Sequence, residues 1–287
     1  VSRRQGRWKQ PCEINMYKYL TAWLIAYSAA SGFSLQAQPP DITWQAILGG
    51  TNTDMPHCII QTADEGYVVA GMTYSTDINI TKNNGERDAW IVKLSPAGAI
   101  QWQKSFGGYS AEDAHAIIQN NKGDFLIIGT TSSYDQDFSD NHEHTGSGDI
   151  FVIKLDIAGN LIWKKCYGGT NNDNDGGPNS LIQTNDGNYI FCGSTASKDG
   201  DVSNNHDGFT GGHDAWVVKI DDNGNILWQK CYGGNFTNSV SGTAVYDIED
   251  AASIKQSADG GYVFTGSTTS NDRDLSGYHF LPGNTQR

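Results

Sequence analysis

The sequence has little positive charge. Its 287 residues include 19 Lys and Arg against 32 Asp and Glu, and from residue 38 onward the numbers are 14 and 31, a formal charge of −17. A surface of this sign repels phosphate backbones and anionic lipids, which excludes nucleic acid as a partner. The same surface suits a soluble protein outside the cytoplasm, and it attracts cations.

Cysteine is scarce, and long helical patterns are absent. Cys58, Cys166, Cys192 and Cys231 follow residue 38, and their spacing matches no zinc or redox motif. We interpret all four as small buried apolar residues, with one disulfide as the alternative. After residue 40, short apolar runs alternate with gaps rich in Gly, Asp, Asn and Ser, which predicts many strands joined by tight turns.

The longest apolar stretch lies near the start of the chain and is typical of a secretory signal peptide. Lys18 gives it a positive start, and small residues up to Ala37 offer a cleavage site. It is too short and too rich in Ser and Ala for a typical membrane span, although an uncleaved anchor is the alternative. The sequence thus predicts an upstream extension over 1–15, a signal peptide over 16–37 and a secreted domain over 38–287 that is not inserted in a membrane.

That domain is an internal repeat. The segment that begins at Trp44 and ends in Gly-Gly recurs at Trp102, Trp163 and Trp228, after steps of 58, 61 and 65 residues. Each unit contains four short apolar runs, which match "IIQ", "YVVAG", "DAWIVKL" and "AIQWQKSF" in the first unit. Turns of the Asp/Asn-Gly type separate them, which predicts two antiparallel hairpins per unit.

The alternating faces of these predicted strands are both apolar, so each sheet must be covered on both sides. Trp90, Phe151 and Trp216 occupy matching places and would fill the space between neighbouring sheets. The pattern therefore predicts an all-β fold, a β-propeller-like array of four-stranded antiparallel blades. A β-helix is the alternative, disfavoured by repeats of about 60 residues. Because the fourth unit ends after two of its strands, we expect a C-terminally truncated, incomplete propeller.

The order of the "DGGY", "DxWVVKL" and "WxKxxGG" segments over residues 44–279 resembles the repeat of secreted bacterial β-propeller-like proteins. Many proteins of that group end in a sorting domain for type IX secretion, which this sequence does not include. The resemblance implies an extracellular or cell-surface location and an adhesive or scaffold role. It supplies no catalytic residues.

A polar loop with the pattern D-x-[DN]-φ-[ST]-x-x-[HN], where φ is apolar, also recurs. It is not an EF-hand, because Asn204 and Thr210 stand where that loop needs Gly and Glu. Asx turns explain the pattern without a ligand, and an oxygen-rich calcium site or a glycan-binding loop are the alternatives. The candidate calcium ligands are Asp135, Asp137, Ser139, Asp199, Asp201, Ser203, Asp272, Asp274 and Ser276.

The sequence contains no G-x-S-x-G elbow, P-loop or H-E-x-x-H motif. Glu112–Asp113 and Glu249–Asp250 are interpreted as solvated turns, because adjacent side chains on an extended chain diverge. His57 and His115 occupy matching repeat positions, so we interpret them as structural. The insertion 235–253 breaks the symmetry of the repeat and is a candidate contact surface.

These observations predict a secreted or cell-surface, non-enzymatic binding or scaffold module. Its partner would be a glycan or a protein at the cell surface, and calcium is the one cofactor that the pattern suggests. The alternative is a propeller-fold glycan hydrolase or lyase whose active site lies partly outside this sequence.

Overall fold

A computed structural model describes residues 41–142, 148–206, 212–234, 249–270 and 273–274 of the chain. The upstream extension, the signal peptide and positions 235–248 of the insertion lie outside these ranges. Within them the chain forms fifteen β-strands and one short 3-10 turn, and no helix is long and apolar enough to cross a membrane. The compact unit that carries the strands begins at Trp44.

The strands form four antiparallel sheets, each built from one repeat. The first sheet contains β1 (Asp54–Gln61), β2 (Tyr67–Thr73), β3 (Asp88–Leu94) and β4 (Ile100–Phe106). The second contains β5 (Glu112–Gln119), β6 (Phe125–Thr131), β7 (Asp149–Leu155) and β8 (Leu161–Tyr167). The third contains β9 (Asp173–Asp175), β10 (Leu181–Gln183), β11 (Tyr189–Thr195), β12 (Asp214–Ile220) and β13 (Ile226–Tyr232). The fourth shows β14 (Asp250–Gln256) and β15 (Tyr262–Ser267) within the described residues.

Strands that follow one another in the chain pair with one another, so each repeat forms its own meander. In the third sheet the first strand is divided, and β9 and β10 both pair with β11. Tight turns join the last two strands of each complete sheet; Gly159, with a φ of 78°, provides the left-handed backbone in the second. The predicted all-β, blade-like architecture is confirmed.

The sheets are covered on both faces, as the apolar pattern predicts. Every residue of β3 and of β7 is buried. One apolar cluster joins the first and second sheets through Ile91 and Phe151, and another joins the second and third sheets through Val152 and Trp216. Since burying one such side chain contributes about 1.5–3 kcal/mol, these inter-sheet layers are the main source of stability.

Neighbouring sheets are also joined by the repeated tryptophan at the end of each unit. Trp102 Nε1 in β4 donates a hydrogen bond to Ile157 O in the second sheet, at 3.3 Å, and Trp163 Nε1 in β8 donates to Asp222 O in the third sheet, at 3.0 Å. Each indole ring covers a turn glycine, Gly159 or Gly224, where a Cβ would collide with it. The tryptophans therefore link neighbouring sheets by packing and hydrogen bonding at the turns.

A repeated glutamine makes a second link between neighbouring sheets. Gln119 Oε1 accepts a hydrogen bond from Ala63 N of the preceding sheet at 2.8 Å, and Gln183 Oε1 accepts one from Asn121 N at 3.0 Å. These glutamines occupy the same repeat position, so the same contact recurs at successive interfaces.

The repeat pattern predicts that the segment at Trp44 is the last strand of a preceding unit, and this prediction is wrong. Residues 41–53 form no strand, because no segment in the described ranges pairs with them through the backbone hydrogen bonds that a β-sheet requires. Trp44 nevertheless packs against Tyr67, with ring centroids 5.6 Å apart, and its ring covers Gly98.

The four cysteines after residue 38 are free thiols, so the alternative of a disulfide among them is not formed. Cys166, Cys192 and Cys231 are buried and Cys58 is partly buried, which agrees with their interpretation as small apolar residues.

Candidate functional site

In the three Asp-rich loops whose first aspartate the structure describes, that aspartate binds the backbone that follows a Gly-Gly pair. Asp135 Oδ1 accepts a hydrogen bond from Tyr109 N at 3.0 Å. The carboxylate of Asp199 accepts two hydrogen bonds from Thr170, from the backbone N at 2.8 Å and from Oγ1 at 2.9 Å. The loop aspartates therefore fix the backbone at the point where the chain leaves the last strand of the preceding sheet.

Three further candidate calcium ligands, Asp137, Asp201 and Ser203, also contact neighbouring segments. Asp137 Oδ2 accepts a hydrogen bond from Gly107 N at 3.2 Å. Asp201 N donates to Gly168 O at 2.8 Å, and Ser203 Oγ is bonded to the side chain of Gln229. Ser139 ends the 3-10 turn Gln136–Phe138.

The described residues of these loops bring no three carboxylate or imidazole groups within 4.8 Å of one another. Asp272 and Ser276 lie outside the described residues; Asp274 lies within them. Calcium binding by the loops stays a prediction.

The acidic residue at the start of each unit also forms hydrogen bonds within the fold. Glu112 accepts hydrogen bonds from Gly108 N at 2.9 Å and from Thr131 Oγ1 at 2.8 Å, and it is fully buried. Asp173 holds Gly169 N at 2.9 Å and Ser197 Oγ at 2.8 Å in the same way. Burial raises the pKa of Asp173 to about 7, because its hydrogen bonds only partly replace the water that the carboxylate loses.

The adjacent residue, Asp113, has a different environment. Its Oδ2 forms an ion pair with Arg87 Nη2 at 2.8 Å, and its Oδ1 lies 3.7 Å from His57 Nε2. Glu112 and Asp113 therefore diverge, and neither is the solvated turn residue that the sequence interpretation expected, since Glu112 is fully buried and the side chain of Asp113 is 15% exposed.

His57 and His115 come together at the boundary between the first two sheets. Each is the extra residue of a β-bulge, because the pairing register shifts between Pro56 and Cys58 in β1 and between Ala114 and Ala116 in β5. The two imidazole centroids lie 5.0 Å apart, with the ring planes at 66°.

His115 is held by the third sheet. Its Nδ1 lies 2.6 Å from Asp175 Oδ1, and the side chain of Asp175 is only 1% exposed. Burial acts to lower the pKa of His115, but the hydrogen bond and the charge of Asp175 outweigh it, so the pKa of His115 is raised. The contact joins β5 to β9.

Arg87 completes the group, which we call the inter-sheet cluster: His57, Arg87, Asp113, His115 and Asp175. Arg87 Nη1 lies 3.2 Å from the hydroxyl of Tyr74. Three buried atoms of the cluster have no hydrogen-bond partner among the described residues, namely His57 Nε2, Asp113 Oδ1 and Arg87 Nε. One potential ligand atom from each of His57, Asp113 and His115 lies within 4.8 Å of the other two.

The sequence interpretation missed this cluster, since it treated the two histidines as structural because they repeat. They repeat in only two units. The fourth unit has Ala252 at the bulge, and the third divides its first strand between Asp175 and Leu181. The presence of histidine at this position in only two of the four units was the sequence signal that could have identified the cluster.

Three exposed tyrosines follow the carboxyl ends of β2, β4 and β6 in the first two sheets. Tyr74, Tyr109 and Tyr134 are 37%, 73% and 49% exposed. Tyr109 O would lie 2.5 Å from a Cβ at Gly85, so the loop that precedes β3 packs against this tyrosine. Tyr74 therefore contacts Arg87, and the backbone of Tyr109 lies beside Gly85, two residues before Arg87.

A groove of about 610 Å³ borders His57. Its lining includes Met55 and Ile59, which are 46% and 60% exposed on the outer face of the first sheet. Solvent therefore reaches the vicinity of His57.

No protein-family model matches the chain, and no curated protein matches it. Among solved structures, the crystal structure of a protein of unknown function from Bacteroides caccae is similar at a TM-score of 0.25 and 12% identity, over 64% of this chain and 70% of that one.

Proposed function

We propose that this chain is a secreted or cell-surface binding module rather than an enzyme, and that its contact surface lies where the first two sheets meet. The observation that carries the proposal is that residues found in every repeat and residues found in one repeat have different environments. The repeated aspartates, glutamines and tryptophans make contacts within the scaffold, whereas Tyr74, Tyr109 and Tyr134 have no tyrosine at the matching positions of the other units.

The chemistry of this edge suits recognition. Tyrosine and arginine are enriched at the energetically important positions of interfaces, because each combines a flat apolar body with a hydrogen-bonding end. Tyr109 is the most exposed of the three tyrosines, and its backbone N is fixed by Asp135. An exposed side chain on an anchored backbone loses less entropy on binding than one on a mobile loop.

A neutral glycan is the ligand that fits best. A tyrosine ring can cover the apolar face of a sugar, while its hydroxyl and the Arg87 guanidinium bond to sugar hydroxyls. The acidic charge of the protein disfavours polyanionic sugars. The buried positions of Glu112 and Asp173, and the pairing of Asp113 with Arg87, support binding over hydrolysis.

The test is a glycan array followed by hydrolysis assays on the sugars that bind. Tyr109→Ala and Tyr134→Ala should each weaken binding by about tenfold, which corresponds to about 1.4 kcal/mol. Leu161→Ala, an exposed apolar truncation on β8, is the matched control and should bind like the wild type. Turnover that is lost in Asp113→Asn would contradict the proposal and favour the hydrolase or lyase alternative.

A further inference from the structure

The inter-sheet cluster contains a donor set that the proposed glycan surface does not use. We propose that His57, Asp113 and His115 bind one divalent transition-metal ion, for which Zn²⁺ is the appropriate probe. This inference goes beyond the proposed function and does not depend on it.

The spacing of the three side chains is close to that of a zinc site. His57 Nε2 and Asp113 Oδ1 lie 3.7 Å apart, and one ligand atom from each of the three residues lies within 4.8 Å of the other two. Metal–ligand distances of about 2.0–2.2 Å in a tetrahedral site separate the ligand atoms by roughly 3.3–3.6 Å. Small side-chain rotations close the difference.

The atoms that face the site are the ones that lack partners. His57 Nε2 and Asp113 Oδ1 are buried and have no hydrogen-bond partner among the described residues. Leaving buried polar atoms unpaired costs about 1–3 kcal/mol each, so such atoms call for an explanation. An ion between them satisfies both.

The far side of two ligands is already held. Asp175 Oδ1 binds His115 Nδ1, which leaves the Nε2 of that ring for the metal. Arg87 binds Asp113 Oδ2, which leaves Oδ1 for the metal. Carboxylate–histidine–metal arrangements of this kind fix the tautomer and the orientation of the ligand.

The donor types select the class of metal. Two imidazoles and one carboxylate suit zinc and related transition ions, whereas calcium and magnesium prefer sites made entirely of oxygen. Three protein ligands leave a fourth position, which a water molecule commonly occupies in zinc sites of this kind. The metal would join β1 to β5, and through Asp175 it would be linked to β9.

The experiment is equilibrium dialysis of the full chain against Zn²⁺ in excess Ca²⁺, which occupies nonspecific acidic sites. We expect about one zinc per chain. His57→Ala and His115→Ala should each weaken binding by more than about 100-fold, and Asp175→Asn by about 10–100-fold at unchanged stoichiometry. His213→Ala removes a histidine outside the cluster and should bind like the wild type.

A second measurement covers the case in which a variant does not fold. Diethyl pyrocarbonate modifies accessible imidazole nitrogens, and mass spectrometry locates the adducts. In the wild-type chain, zinc should slow modification of His57 and His115 and leave that of His213 unchanged.

Wild-type protein that binds no zinc would overturn the proposal and leave His57 and Asp113 as a simple ion pair. Equal zinc binding by folded His57→Ala and His115→Ala would overturn it as well. Tyr109→Ala should retain zinc, so a failure of the glycan proposal is read separately from a failure of this one.

Discussion

Several carboxylates of this protein are buried without forming a salt bridge to a lysine or arginine among the described residues. Burial raises the pKa of Asp88 to about 6 and that of Asp173 to about 7, against the hydrogen bonds that each accepts. Asp149 is fully buried as well, and its Oδ2 lies 2.7 Å from His142 Nδ1. The repeat thus uses ionisable groups where most cores use neutral ones, and its stability should depend on pH.

Asp173 carries the clearest pH prediction. Its pKa is higher in the folded chain than the ordinary value of 3.8, so its contribution to stability is complete below about pH 4 and is lost as the pH rises through about 7. Wild type should lose about 2–4 kcal/mol through this group between pH 4 and pH 8. Asp173→Asn removes the titration, so urea unfolding at the two pH values should show a smaller difference for the variant. Identical pH dependence in the two proteins would refute the assignment.

Asp199 distinguishes a hydrogen-bonded loop from a calcium loop. Asp199→Ala removes both bonds to Thr170 and should destabilise the protein by about 1 kcal/mol. Because those bonds already occupy the carboxylate, adding Ca²⁺ to metal-free wild type should leave the melting temperature unchanged. A rise in the wild type that Asp199→Ala abolishes would instead support the predicted calcium site.

At the scale of elements, the β-bulge links the scaffold to the cluster. A bulge in β5 makes His115 the extra residue and brings Asp113 O close to β6, where Gly129 pairs with Ala114. A Cβ at Gly129 would lie 1.9 Å from Asp113 O and 2.6 Å from the Phe151 ring. The glycine is thus required by close approach of two strands.

Gly129→Ala should therefore destabilise the protein by about 3 kcal/mol and weaken zinc binding, because the bulge must move. Gly123→Ala is the matched control. Its backbone has a φ of 92° and the nearest neighbour of its Cβ would be 3.8 Å away, so it should cost about 1 kcal/mol without affecting zinc. Urea unfolding and zinc titration of the two variants test this, and equal effects would show that close approach at Gly129 is unimportant.

The strands and hairpins could be predicted because their signals are local. Alternating apolar residues and turn glycines mark them, and the two-sided apolar pattern indicated stacking. The bulges at His57 and His115 have no such mark, since one extra residue is visible only in the pairing of two strands. The contact of Asp175 with His115 joins two sheets and depends on how they pack. The strand expected at Trp44 does not form, because a strand also needs a partner strand for its backbone hydrogen bonds.

At the scale of the whole molecule, the same contacts recur between successive sheets while the contents of each interface differ. Trp102 and Gln119 join the first sheet to the second, and Trp163 and Gln183 repeat those contacts one unit later. Within the described residues, the two-histidine cluster occurs at one interface. We therefore propose that the repeated residues build the scaffold and that the residues that depart from the repeat, at the first interface, bind ligands.

The most direct test is an anomalous difference map from zinc-soaked crystals, recorded at the zinc absorption edge. A zinc ion in the inter-sheet cluster should give a peak about 2.0–2.2 Å from His57 Nε2, Asp113 Oδ1 and a nitrogen of His115. A map without a peak there, or with peaks confined to the Asp-rich loops, would show that the cluster does not bind zinc.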